Sequence, residues 1–300
     1  MAGTAASSAT RRPAHEHLQQ VGIPALFVVL WSTGFIGARL GLPHAGPLTF
    51  LALRYGLVAA LLLLVSLATR APWPRRWSDV GHYAVAGLLV HAVYLGGVFV
   101  AISLGVEAGV SALIVGIQPL LTAALAGLFL SERVNGRQWI GLCLGLLGVT
   151  LVLSNKLGQG PGSALGSLSC LVSLFAITLG TLYQKRYCTG MDLRTGSVVQ
   201  FIAAGLVTAP LAFLFEDTTI NWTGEFLFAL LWLVFVLSLG AVTLLYVLIR
   251  RGAAAQFASL FFLVPPCTAL IAWPLFGETL GATALAGMAV TAVGVALATR

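Results

Sequence analysis

The chain has 300 residues, 59% of them hydrophobic and only 8% charged, with a mean hydropathy of +0.98. A soluble domain averages about 25% charged residues, so 16 basic and 9 acidic side chains cannot cover a chain of this length with a water-facing surface. That excludes an ordinary soluble enzyme and a disordered chain, and it points to lipid as the solvent.

Residues 1–20 read as a flexible cytoplasmic tail, rich in Ala, Ser and Thr and carrying Arg11, Arg12, His15, Glu16 and His17. The apolar run that follows continues to about Leu40 with no small-residue cleavage site, so it reads as a membrane helix and not as a signal peptide. A spanning helix needs about 20 mainly apolar residues. Stretches free of Asp, Glu, Lys and Arg run 17–38, 55–69, 80–106, 108–131, 138–155, 157–184, 195–215, 226–249, 252–277 and 279–299. The second is cut short by Arg54 and is long enough when counted from Pro47 to Ala68; Pro47 suits a first helical turn, where a missing N–H costs nothing. The fold class is therefore an all-α polytopic membrane protein with ten transmembrane helices. The four cysteines, Cys143, Cys170, Cys188 and Cys267, have no metal-ligand or disulfide spacing and read as small packing residues.

Basic residues set the orientation. With the N-terminus in the cytoplasm, the cytoplasmic segments hold Arg11, Arg12, Arg70, Arg75, Arg76, Arg133, Arg137, Lys185, Arg186, Arg194, Arg250, Arg251 and Arg300, and the other side holds Lys156. Both termini are expected in the cytoplasm. The +7 net charge is then topological, and nucleic acid drops out as a partner.

The two halves overlay at an offset of 146 residues. Pro119 meets Pro265, Thr122-Ala123 meets Thr268-Ala269, Glu132 meets Glu278, Gly141 meets Gly287, and Gly148-Val149 meets Gly294-Val295. The expected domains are a first repeat over 21–154 (helices 1–5) and a second over 163–299 (helices 6–10). Five helices per repeat invert the second copy, which places Glu132 inside and Glu278 outside. Inverted repeats are the architecture of alternating-access carriers, with substrate near the midplane between the halves.

Several of these residues also resemble a family. The Trp31-Ser32-Thr33-Gly34-Phe35 start, Arg39, and the Pro47…Leu53-Arg54-Tyr55 opening of the second helix are similar to the EamA family of the drug/metabolite transporter superfamily. So are Gln118-Pro119…Ser131-Glu132-Arg133…Gly141…Gly148 and Pro265…Gly277-Glu278-Thr279…Gly287…Gly294. The resemblance covers roughly residues 21–299. It implies ten helices around a central cavity and export or exchange of small metabolites, amino acids among them. The sixth helix departs from the family pattern, with no Trp between Phe175 and Tyr183.

Polar groups inside a bilayer are costly, so each needs a reason. Arg54, in the outer half of the second helix, could attract a substrate carboxylate, or pair with Glu107 or Glu278. Trp31, Phe35 and Arg39 are spaced by four and share one helix face; they could line a cavity, or Arg39 could reach for the interface. His91, near the middle of the third helix, has Tyr94 at i+3 on the same face. The pair could hydrogen-bond substrate, or His91 could carry a proton; the plainer reading is a buried histidine bonded to a carbonyl. Gln118 and Gln256 are amides that could bond substrate or a neighbouring helix. Tyr246, Trp273, Tyr183 and Trp232 could form an aromatic lining, or belong to the interfacial belt. Pro119 frees the Val115 carbonyl, and Pro265 and Pro266 free those of Phe261 and Phe262. Kinks at matched points suit gating helices. No Asp or Glu lies mid-span, so proton coupling would rest on His91 or on an acid at the membrane edge, and uncoupled exchange stands beside it.

The leading expectation is a single-chain carrier in a bacterial inner membrane that exports or exchanges small organic metabolites, amino acids foremost, with no cofactor or metal. The other readings are exchange of phosphorylated metabolites or nucleotide sugars, which wants several midplane cations, a non-transporting scaffold, and an intramembrane enzyme, for which no nucleophile–base set or metal cluster is visible.

Overall fold

The computed structural model describes residues 22–106, 111, 114–153, 164–251, 253–276 and 281–299. They form ten helical rods: α1 Ile23–His44, α2 Pro47–Ala68, α3 Trp77–Ser103, α4 Gln118–Leu130, α5 Gly136–Leu153, α6 Ala164–Tyr187, α7 Leu193–Phe215, α8 Gly224–Arg251, α9 Ala254–Leu275 and α10 Ala282–Ala298. Seven of the rods are long and apolar enough to cross a membrane, and α4 and α10 are shorter apolar helices. In hydrocarbon the backbone must satisfy its own N–H and C=O groups, which a helix does within one segment. Among the described residues the only pairing of extended backbone is an isolated bridge, Ala45 with Ile220. The outward faces carry exposed Leu64, Leu206, Phe213, Leu214 and Phe215, the apolar coat of a multi-span membrane protein.

The packing repeats itself when the halves are exchanged. The pair α1·α8 is matched by α6·α3, and α1·α9 by α6·α4, while α2·α7, α4·α9 and α5·α10 each pair equivalent helices. Departures from regular helix recur at the same offset. A π-helical stretch occupies Leu88–Leu95 in α3 and another Leu233–Ala241 in α8. A turn at Gly116 and Ile117 precedes Pro119, and a 3₁₀ turn over Leu260–Leu263 precedes Pro265. Ten helices in two inverted five-helix repeats account for this pattern.

The crossing of α5 and α10 shows what the small residues are for. A Cβ on Gly148 would stand 2.5 Å from the Thr291 nitrogen, and one on Gly294 would stand 2.5 Å from the Gly145 nitrogen. Gly145 and Thr291 are themselves 146 residues apart, so the two clashes are one contact seen from each repeat. Without a side chain the two backbones can touch, which is how membrane helices gain dispersion energy where lipid offers no hydrophobic contrast.

The connections α2–α3, α4–α5, α6–α7 and α8–α9 share one end of the bundle and hold Arg70, Arg75, Arg76 and Arg133, with Arg137, Lys185, Arg186, Arg250 and Arg251 at the adjoining helix ends. At this basic end Glu132 joins the halves: Oε1 lies 2.6 Å from Lys185 Nζ, and Oε2 accepts from the Ala254 nitrogen at 2.7 Å. Arg250 donates to the Met191 carbonyl, and Arg186 to that of Phe129 at 2.6 Å. At the opposite end Glu216 caps α2 from across the bundle, accepting from the nitrogens of Leu48 and Thr49 at 2.8 Å each.

Candidate functional site

Arg54 sits seven residues below Pro47, about 10 Å into α2 at 1.5 Å per residue. It is completely buried, and its neighbour Tyr55 is too. Its Nε donates to Ser238 Oγ at 2.9 Å. Ser238 can serve because it lies in the π-helical stretch of α8, where its hydroxyl donates to the Leu233 carbonyl five residues back at 2.9 Å. That leaves the oxygen's lone pairs toward the guanidinium. π-Turns inside α-helices are frequent at functional sites. The terminal nitrogens Nη1 and Nη2 have no partner among the described residues. Glu107 and Glu278, the acids considered from sequence, lie outside the described residues.

Arg54 lines a cavity of about 480 Å³ between α1, α2, α3 and α8, together with Trp31, Phe35, His91, Tyr94 and Phe99 and small and aliphatic neighbours. A second lobe of about 270 Å³ shares Trp31, Phe35 and Tyr94 with the first and reaches Val115, Gly116, Phe261 and Pro265. Its wall is the turn before Pro119 and the 3₁₀ turn before Pro265. Non-helical backbone at membrane depth is tolerated where it lines a cavity, and Pro119 lacks the N–H that would have bonded the Val115 carbonyl. The aromatic wall is itself packed: Trp31 meets Phe27 and Phe261 at ring distances of 5.3 and 5.4 Å.

His91 is also fully buried. Phe201 stacks on its ring at 4.2 Å and 19°, and Tyr55 donates its hydroxyl to the His91 carbonyl at 2.8 Å. His91 Nε2 lies 3.2 Å from Tyr246 Oη. Tyr246 donates to Gln200 Oε1 at 2.5 Å, and Gln200 Nε2 donates to Gln184 Oε1 at 2.8 Å. The chain of bonds thus leads from the cavity wall at mid-span to residues near the basic ends of α8, α7 and α6. His91 Nδ1 has no partner among the described residues.

The structure gathers Trp31, Phe35, Arg54, His91, Tyr94 and Pro265 around one space and places Tyr246 directly behind His91. Gln118 is buried one turn from Gly116, its Nε2 3.4 Å from Thr122 Oγ1 and its Oε1 unpartnered. Pro119 and Pro266 are buried beside the breaks in α4 and α9. Arg39 is exposed and lines neither lobe, although Ala38 beside it lines the first. Gln256 is half-buried in the first turn of α9, outside both lobes. Trp273 faces outward, 55% exposed, as a belt residue would. Ser238, Gln200, Gln184 and Phe201 were not singled out from sequence. One signal was available for Gln200, which stands 146 residues after Arg54 and so occupies its place in the other half.

Against known proteins, the profile of the EamA-like transporter family matches residues 22–154 and again 164–300. The chain is 28% identical to the uncharacterized transporter YvbV of Bacillus subtilis, over 91% of this chain and 89% of that one. It is 28% identical to the uncharacterized inner membrane transporter YedA of Escherichia coli, over 92% and 88%. A probable amino-acid metabolite efflux pump of Salmonella typhimurium is 26% identical over 90% of this chain and 91% of its own length. A crystal structure of a protein 20% identical superposes with a TM-score of 0.78, covering 94% of this chain and 97% of that one, and shares the fold. Matched in both halves, and with the two halves related as its helix packing shows, the chain belongs to the EamA-like transporter family.

Proposed function

We propose that this transporter exports or exchanges small organic metabolites that carry a carboxylate, amino acids foremost, by alternating access between its two halves. One observation carries the reading: a fully buried guanidinium anchored through Nε, with both terminal nitrogens unpartnered in a cavity wall. An unpaired charge held out of water costs several kcal/mol, and a carboxylate docks on the two open nitrogens as a fork on a fork. Trp31, Phe35, Tyr94 and Phe99 would enclose the apolar part of the cargo. The printed name of the Salmonella relative supports amino acids.

Among the described residues, Arg54 is the one Arg or Lys that lines the cavity. Exchange of phosphorylated metabolites or nucleotide sugars, which asks for several, is the weaker reading, since Arg39 stands apart. Among the described residues no Asp or Glu lines either lobe, which favours exchange over coupling through an acid. The basic loops support an inner-membrane placement with both termini cytoplasmic, and nothing in the site calls for a second chain.

The test is counterflow in proteoliposomes loaded with unlabelled amino acids, with labelled ones added outside one at a time and no pH gradient imposed. Accumulation that disappears in Arg54→Gln is the expected result. Accumulation undiminished in that variant would overturn the role given to Arg54, and a folded protein that moves phosphorylated sugars but no carboxylate would overturn the substrate class.

A further inference from the structure

We infer that His91 is held as a fixed hydrogen-bond acceptor in the cavity wall, so that the carrier selects carboxylates with a donor on the neighbouring carbon, 2-amino and 2-hydroxy acids, over 2-oxo acids and plain carboxylates. The inference rests on the carboxylate reading of Arg54 and goes beyond it.

The argument is a count of protons. A tyrosine hydroxyl has one proton to give. Tyr246 gives it to Gln200 Oε1, at 2.5 Å. The Gln200 amide is oriented from behind: its nitrogen donates to Gln184 Oε1 at 2.8 Å and lies 3.7 Å from Met191 Sδ, which leaves the oxygen for Tyr246. With its proton used, Tyr246 Oη can only accept from His91 Nε2, 3.2 Å away. His91 Nε2 therefore carries the hydrogen, and in the neutral ring Nδ1 carries a lone pair. That Nδ1 has no partner among the described residues, and the ring lines the same cavity as Arg54. The donors from His91 through Tyr246 to Gln200 point away from the cavity toward the basic end. The chain works as a strut that sets the tautomer. It is a poor proton wire, because an amide would have to pass through its imidic form to relay a proton.

The ring cannot turn to escape. Phe201 stacks on one face at 4.2 Å, and Tyr55 ties the His91 carbonyl at 2.8 Å within the π-helical stretch. The cavity thus offers a two-pronged donor at Arg54 and, at His91 Nδ1, an acceptor with no proton to give. Its complement is an anion beside an N–H or O–H. A 2-oxo acid would set a carbonyl oxygen against the imidazole lone pair, and a plain carboxylate would leave Nδ1 unpaired. Sites built around a buried polar partner discriminate strongly against analogues that lack it.

The experiment is competition for counterflow by four acids on one carbon skeleton: 2-amino-, 2-hydroxy-, 2-oxo- and unsubstituted 4-methylpentanoate, with the full chain in proteoliposomes at about pH 7. The amino and hydroxy acids should compete, and the other two should compete at least about tenfold more weakly. In Tyr246→Phe, which keeps the ring and removes the acceptor for Nε2–H, the ratio should collapse toward one while competition still depends on Arg54. Equal competition by all four acids on the unaltered protein overturns the role of His91 and leaves the carboxylate reading standing. Competition by none overturns that reading, and the inference with it. An unchanged ratio in Tyr246→Phe overturns the strut. The series on the unaltered chain decides the selectivity even where the variant does not fold, and Gln184→Leu, at the far end of the strut, then replaces it.

Discussion

The two halves meet in two different ways. Where α5 crosses α10 they are interchangeable: Gly148 against Thr291 and Gly294 against Gly145 are the same contact at the same 2.5 Å clearance. Where α2 lies against α7 they are not. Arg54 and Gln200 hold equivalent positions 146 residues apart, and both are fully buried. Arg54 keeps two nitrogens without a partner among the described residues, beside the cavity, whereas Gln200 uses its oxygen on Tyr246 and its nitrogen on Gln184. On the proposed alternating-access reading, symmetry holds where the scaffold must stay matched through a rocking motion. It is broken at the place proposed to tell a cargo from water, and where one end of the molecule differs from the other.

The sharpest way to break this comparison is Arg54→Gln, which makes the two positions alike. Transport of carboxylates should fall by about a hundredfold or more, the effect of removing one partner of a buried charge pair. The empty protein should unfold at the same or a higher temperature in detergent, because a buried unpaired charge has been taken away. Undiminished transport would return Arg54 to a structural role. Next comes the symmetric contact. Gly148→Ala and Gly294→Ala should each destabilise by about 1–3 kcal/mol through overpacking, and by matching amounts. Unfolding midpoints that differ widely would mean the crossing is less symmetric than its geometry. Smaller still is Gln200→Leu, which leaves Tyr246 without its acceptor and Gln184 without its donor. A loss of about 1–3 kcal/mol is expected from the orphaned groups, with transport retained at reduced selectivity. A loss of transport as deep as that of Arg54→Gln would place Gln200 in the cargo site itself.

Much of the architecture was legible because its cause is one-dimensional. Helix number follows from apolar run length, and inversion follows from an odd count and the offset linking Pro119 to Pro265. The cavity wall was legible in part: Trp31 and Phe35 by helical spacing, His91 and Tyr94 by the cost of polar groups mid-span. The same spacing extended to Arg39, which is exposed while Ala38 beside it lines the cavity. Trp273 and Gln256 looked polar or aromatic enough to bind cargo, yet which face a residue presents is fixed by neighbours distant in sequence. Ser238 was hidden for another reason. Its usefulness comes from a π-turn that no local pattern announces, and a lone serine in an apolar helix ordinarily bonds its own backbone.

The smallest effect distinguishes the two ways α2 and α7 begin. The start of α2 is capped from the other half by Glu216, through the nitrogens of Leu48 and Thr49. That of α7 is capped from within by Asp192, whose Oδ1 accepts from the nitrogens of Arg194 at 2.9 Å and Thr195 at 3.4 Å. The Arg194 side chain adds a 2.8 Å contact to Oδ2 and holds the Asp192 carboxyl below its usual value of 3.8. A carboxyl held low stabilises the fold above its unfolded value and loses that contribution as pH falls through the folded one. Asp192→Asn keeps a capping oxygen and removes the charge, so stability near neutral pH should drop by less than about 1 kcal/mol. The gap to the parent should close as pH falls below 3.8 and through the lowered folded value. Glu216→Gln removes a charge that bridges the halves and should cost more at neutral pH than Asp192→Asn, read as unfolding midpoints in one detergent. Equal losses would mean that a cap supplied across the bundle holds no more of the fold together than one supplied by the helix's own chain.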